Sequence, residues 1–239
     1  MKKSFFIAVL VGATLVVTSG CNMFTNGKVK DELISIEKDN AKSLDVNVDL
    51  GAGKLNVTKG GNEWVEGIAE YSHKQLKPEV SYKLKGSKGK VNIEQGKHKL
   101  PNVKIGKFKN EWNLKLTEQI PLNLDVNAGA SKTDLDLKGL DLNSLEIENG
   151  VGELTVDLGG DWKKGFKTKI ETGVGKTTII LPSDIGVKIH SNKGIGKANV
   201  VDFISKGNGV YVNEAYESSK ETVTVDMDMG VGEVSFKLD

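Results

Sequence analysis

The sequence predicts an all-β fold, a β-solenoid-like stack of strands with a less regular β-rich N-terminal part. Apolar and polar residues alternate along it, as at Val46, Val48 and Leu50, at Leu122, Leu124 and Val126, and at Val223, Val225 and Met227. A four-residue word recurs six times: Gly51-Ala52-Gly53-Lys54, Gly129-Ala130-Ser131-Lys132, Gly150-Val151-Gly152-Glu153, Gly173-Val174-Gly175-Lys176, Gly194-Ile195-Gly196-Lys197 and Gly230-Val231-Gly232-Glu233. Its first glycines lie 78, 21, 23, 21 and 36 residues apart. A period of roughly 22 residues with longer insertions marks a stacked repeat. No segment carries a helical stripe. An immunoglobulin-like sandwich also has many short strands, but it predicts no fixed word at a fixed period.

The chain opens with Met1-Lys2-Lys3, then an uncharged apolar run over Phe5–Val17. That run is too short to cross a hydrocarbon layer of about 30 Å. It ends in Thr18-Ser19-Gly20, directly before Cys21, the only cysteine. Residues 1–20 resemble a bacterial lipoprotein signal, although leucine is commonest in that family where Thr18 stands. The resemblance implies cleavage before Cys21, lipidation of its thiol and a mature protein held on the outer face of a membrane; acyl chains bury about 0.8 kcal/mol per methylene. The alternative is a secreted protein with one leftover thiol. Residues 21–30 read as a tether, 31–119 as an N-terminal β region and 120–239 as the repetitive solenoid.

Each word shifts the phase of the apolar pattern. Met227, Met229 and Val231 step by two, Val231 to Val234 is a step of three, and Phe236 and Leu238 resume the alternation. A strand that slips by one residue turns its apolar side chains outward unless its backbone bends or bulges. The expectation is that the central residue, such as Val174, points into the core. The flanking glycines Gly51, Gly53, Gly129, Gly150, Gly152, Gly173, Gly175, Gly194, Gly196, Gly230 and Gly232 would form structural corners. The fourth residue is charged in every copy, so stacking of consecutive repeats would make Lys132, Glu153 and Lys176 neighbours.

The 33 basic residues are all lysine and stand against 32 acids, a net charge of +1. Without arginine there is no planar fork for bidentate recognition, and sequence-specific nucleic-acid binding is not expected. His73, His98 and His190 lack metal-ligand spacing, so neither a metal nor a cofactor is predicted. Gly175-Lys176-Thr177 ends like a phosphate-binding loop, but the glycine required at 170 is Ile170. The words at Gly51 and Gly194 fail the dinucleotide fingerprint at Asn56 and Asn199. Asp134, Asp136, Asp141, Glu146 and Glu148 alternate with core leucines and isoleucine, as solvent-facing strand residues do. No nucleophile elbow is present, and no catalytic residues are assigned: the chain reads as no enzyme. From Tyr71 to Lys115 there are 12 lysines against Glu79, Glu94 and Glu111. Lys83, Lys85, Lys88, Lys90, Lys97 and Lys99 are therefore candidates for a surface facing anionic lipid or polymer. The blander role for them is to keep strand edges soluble.

Leu44–Val57, Pro78–Gln95 and above all Trp112–Leu158, with Ile120-Pro121-Leu122-Asn123-Leu124 leading into the glycine word, resemble the toast-rack domains of bacterial cell-envelope proteins, including the LiaF-like cell-wall-antibiotic-response group. The resemblance covers nearly all of the chain beyond the signal. It implies a β-solenoid-like domain and a non-enzymatic envelope role, as scaffold or sensor/adaptor in a stress response. The partners implied are the membrane through the N-terminal lipid, and another envelope protein or an anionic envelope polymer. A structural or adhesive surface module is the second reading.

Overall fold

The computed structural model describes residues 28–96 and 108–239. The signal segment with Cys21, and Lys97 and Lys99, lie outside the described residues. Six long strands each run through one copy of the glycine word: β2 (Ser43–Lys59), β7 (Leu122–Asp136), β8 (Leu142–Asp157), β9 (Lys167–Leu181), β10 (Gly186–Val200) and β13 (Thr222–Leu238). The short strands are β1 (Lys30–Ile36), β3 (Val65–Tyr71), β4 (Pro78–Lys85), β5 (Lys88–Gln95), β6 (Asn110–Leu116), β11 (Ile204–Gly207) and β12 (Val210–Val212). All belong to one sheet; two single 3-10 turns, Lys74–Leu76 and Glu214–Glu217, complete the described elements.

Each long strand bends at its word. In β2, Leu44, Val46, Val48 and Leu50 are buried before the corner and Leu55 and Val57 after it. The buried parity therefore changes from even to odd, and the two arms of the strand turn their apolar faces into a single core. Side chains from both arms, among them Ile147, Val156, Ile170, Ile179, Val225 and Phe236, fill it.

The long strands are parallel and stack in the order β2, β7, β8, β9, β13, β10. Consecutive repeats stack only as far as β9. Strands β7, β8 and β9 stack in chain order and bring Lys132, Glu153 and Lys176 side by side, whereas β13 inserts between β9 and β10. The reason lies in the segment between β10 and β13. It forms the β11–β12 hairpin, which occupies the outer side of β10 at Lys188, Ile189 and His190 and leaves the inner side to β13.

Short strands close the ends of the stack, β5 and β6 parallel to β2 and the outer pieces antiparallel. On β2, the first arm is covered by β5 and then β4, and the second arm by β6, then β3 and β1. On β10, β12 and β11 cover the first arm. Asn213, 1% exposed, ties this end together: its Oδ1 accepts from Val187 N at 2.8 Å, and its Nδ2 donates to the Ile185 carbonyl at 2.7 Å.

Candidate functional site

The six words align in register across the stack and build four parallel rows on the outside of the corner. The first row is Gly51, Gly129, Gly150, Gly173, Gly230 and Gly194. Adjacent backbones approach so closely here that a Cβ on Gly150 or Gly173 would run into the carbonyl oxygen of Gly129 or Gly150 respectively. The third row is Gly53, Ser131, Gly152, Gly175, Gly232 and Gly196. Its glycines combine the same overlap with a left-handed backbone, φ being +136° at Gly152 and +149° at Gly175. Ser131 breaks the row; its buried hydroxyl donates to Asn149 Oδ1 at 3.0 Å. Every glycine assigned to a corner from the sequence falls in one of these two rows.

The central residues form the second row, and here the structure overturns an expectation. Ala52, Ala130, Val151, Val174, Val231 and Ile195 are in register and point outward. Val174 is 49% exposed and Ile195 75%. The core resumes five residues on, from Met229 to Val234, and skips the central side chain. The result is an exposed apolar ridge roughly 24 Å long at the usual strand spacing.

The fourth row is charged. In space it reads Lys54, Lys132, Glu153, Lys176, Glu233, Lys197. The insertion of β13 makes its sign alternate from Lys132 onward, and Lys132 Nζ lies 3.4 Å from Glu153 Oε2. Lys54, beside like-charged Lys132, has Glu111 of β6 on its other flank at 4.0 Å. The ends of the corner differ. On β2, Asn110 Nδ2 donates to the Ala52 carbonyl at 2.7 Å and to Gln95 Oε1 at 3.0 Å. Trp112 Nε1 in turn donates to Asn110 Oδ1 at 3.0 Å. Nothing in the spacing of Gln95 or Asn110 marks them as corner caps, because the corner they cover lies 43 and 58 residues away in sequence.

On the other flank of the first glycine row runs an acid-rich row: Asp49, Asn127, Glu148, Glu171, Asp228 and Asn192. The missing glycine side chains leave an open groove of about 860 Å³ beside it. One column further back, burial raises the Asp125 carboxyl above its usual range, and Glu146, Glu148 and Asp49 add to the rise. Among the described residues, no group of three or more His, Cys, Asp or Glu is placed to hold a metal ion.

The candidate lysine surface lies on the β4–β5 hairpin. Antiparallel register sets Lys83 opposite Lys90 and Lys85 opposite Lys88, and all four are exposed. Like charges directly opposite one another destabilise a hairpin. Lys88 also reaches Asp45 at 2.9 Å. Burial pushes the Asp45 carboxyl up, but hydrogen bonds from Lys88 and Asn123 outweigh it and hold the group below its usual range. No helix of the described residues is long and apolar enough to cross a membrane.

The model of the N-terminal domain of toast_rack matches residues 25–180. The chain belongs to the toast-rack family. A second model, the C-terminal part of the cell wall-active antibiotics response protein LiaF, matches residues 129–236. The crystal structure of a candidate cell adhesion protein from Clostridium sporogenes is 35% identical, with a TM-score of 0.86 over 89% of this toast-rack chain and 100% of that one. Candidate adhesins from Bacteroides fragilis and Parabacteroides distasonis are each 11% identical, with TM-scores of 0.29 and 0.28 over 88% and 89% of this chain and 97% and 98% of theirs. No curated protein matches. The LiaF match and the 35% identical structure are likenesses to envelope-related and adhesion proteins.

Proposed function

We propose that this toast-rack protein is a lipid-anchored, non-enzymatic scaffold or sensor/adaptor of the cell envelope, which presents its corner to another envelope protein. The observation that carries this reading is the ridge of Val151, Val174, Val231 and Ile195, a continuous exposed apolar row between two glycine rows. The lattice beneath it has no side-chain freedom at the glycines and holds the row rigidly. Anchoring rests on Cys21 and the segment before it. The test joins the two parts. A photoreactive residue at position 174 on intact cells should crosslink to a discrete envelope protein, and Val151→Lys with Val231→Lys should abolish that product. Cys21→Ser should release the protein from membranes. Crosslinks indifferent to the ridge, or a serine variant that keeps its lipid label, would overturn the reading.

A second reading, an adhesive module for anionic envelope polymers, is favoured by the opposed pairs Lys83/Lys90 and Lys85/Lys88. Changing Lys83, Lys85, Lys88, Lys90, Lys97 and Lys99 to glutamine should abolish low-salt binding to anionic vesicles or teichoic acid. Equal, salt-insensitive binding by both proteins would remove this reading.

A further inference from the structure

The four arms at the two ends of the stack are not treated alike. Three are capped by short strands, whereas the second arm of β10 has β13 on one side and, among the described residues, no strand on the other. Val201 N donates to the Phe236 carbonyl at 3.1 Å, which fixes the phase of this parallel ladder. Residues 197, 199 and 201 address β13, so the N–H and C=O groups of Ala198 and Val200 face the open side. At the corner itself the only cover among the described residues is Lys193, whose Nζ sits 3.5 Å from the Gly196 carbonyl.

We infer that Gly196–Val200 is a docking edge for an extended segment of another protein, which adds as a parallel strand reading acidic, large apolar, polar, apolar. The capped end of the same stack supplies the template. There β6 sets Glu111 beside Lys54, Trp112 beside Leu55, Asn113 beside Asn56 and Leu114 beside Val57. The open edge presents Lys197, Ala198, Asn199 and Val200 at the matching levels. Lys197 already has Glu233 on its inner flank, and an acid on the outer flank continues the alternation of the fourth row. Ala198 and Val200 are only half-buried although their equivalents Leu55 and Val57 are fully covered, so two apolar side chains complete the core there. A second copy of this chain is a poorer occupant, because it would bring Lys193 and Lys197 against the same lysines. Strand addition of this kind draws affinity from the backbone and specificity from alternate side chains.

The inference stands on the sheet edge and is independent of the ridge. Its test uses a fluorescein-labelled, end-blocked peptide of sequence Glu-Trp-Asn-Leu-Lys-Leu, that of Glu111–Leu116, titrated with the protein and followed by anisotropy. Wild type should bind it. Ala198→Pro removes an N–H that bonds no neighbour, so the melting temperature should hold while binding weakens about tenfold or more. Lys197→Glu should weaken binding several-fold, and a peptide with lysine in place of its glutamate should restore it. If Ala198→Pro fails to fold, this charge exchange decides. No binding to wild type at millimolar peptide, equal binding by both variants, or a wild-type dimer that Ala198→Pro dissolves would each overturn the inference, the last by assigning the edge to a second copy.

Discussion

Gly175 lies in register with Gly152 across the β8–β9 step, and a Cβ on Gly175 would occupy the space of the Gly152 carbonyl oxygen. At the same position φ is +149°, a conformation that side chains other than glycine rarely adopt. Steric overlap and backbone strain therefore act together.

Gly175→Ala should cost at least about 2 kcal/mol in urea unfolding, more than either effect alone. Val174→Lys, one residue away on the exposed ridge, should stay within about 0.5 kcal/mol. A reversed order of the two variants would show that the ridge is buried.

Reversing the charge of Glu233 tests the alternating row. Glu233→Lys sets a third cation between Lys176 and Lys197, and each like-charged contact should destabilise by up to about 1 kcal/mol. Salt should recover most of the loss, since these groups are near the surface. A salt-independent loss in thermal melts would point to packing instead.

Asn213 offers a separate test at the covered first arm of β10. Its side chain bonds the backbone of Val187 and Ile185. Asn213→Ala should cost about 2–4 kcal/mol, because buried backbone groups are left without partners. Hydrogen exchange should speed up first at Ile185–Val187 and in β12.

Asp125 makes a pH-dependent prediction. Its carboxyl is raised by burial first and then by Glu146, Glu148 and Asp49. A raised acid binds its proton more tightly folded than unfolded, so stability falls as pH rises through the window from the ordinary value of 3.8 up to the raised one. Asp125→Asn should therefore stabilise at neutral pH, by up to about 1 kcal/mol. That gain should vanish below the ordinary value, where both states of the wild type are protonated; a gain constant with pH would show another cause.

Much of this architecture is legible in the residues. Alternation at Val46, Val48 and Leu50 marks the first arm of β2, and the glycine word marks each corner. The orientation of Val174 is not legible, because a step of three from a central valine and a step of five from the residue before the word describe the same sequence. Only the exposure of the central side chains in the folded stack separates them. The place of β13 is hidden too, since parallel strands carry no register signal between distant segments. One clue existed: the fourth residues read Lys, Lys, Glu, Lys, Lys, Glu along the chain and alternate better once the last is moved between the two before it. The pairing of Lys83 with Lys90 depends on a turn at Gly86-Ser87, whose position the lysine-rich composition does not reveal.

The insertion of β13 between β9 and β10 has a kinetic consequence. During synthesis β10 and its hairpin are complete before the strand that joins them to the rest of the sheet exists. Until that strand arrives, β9 and β10 each present a bare flank that no other strand of the described chain covers. Assembly of this half waits for β13, and parallel pairing over such separations is slow. The seam between β9 and β10 thus stays open until the seventeen-residue β13 is made.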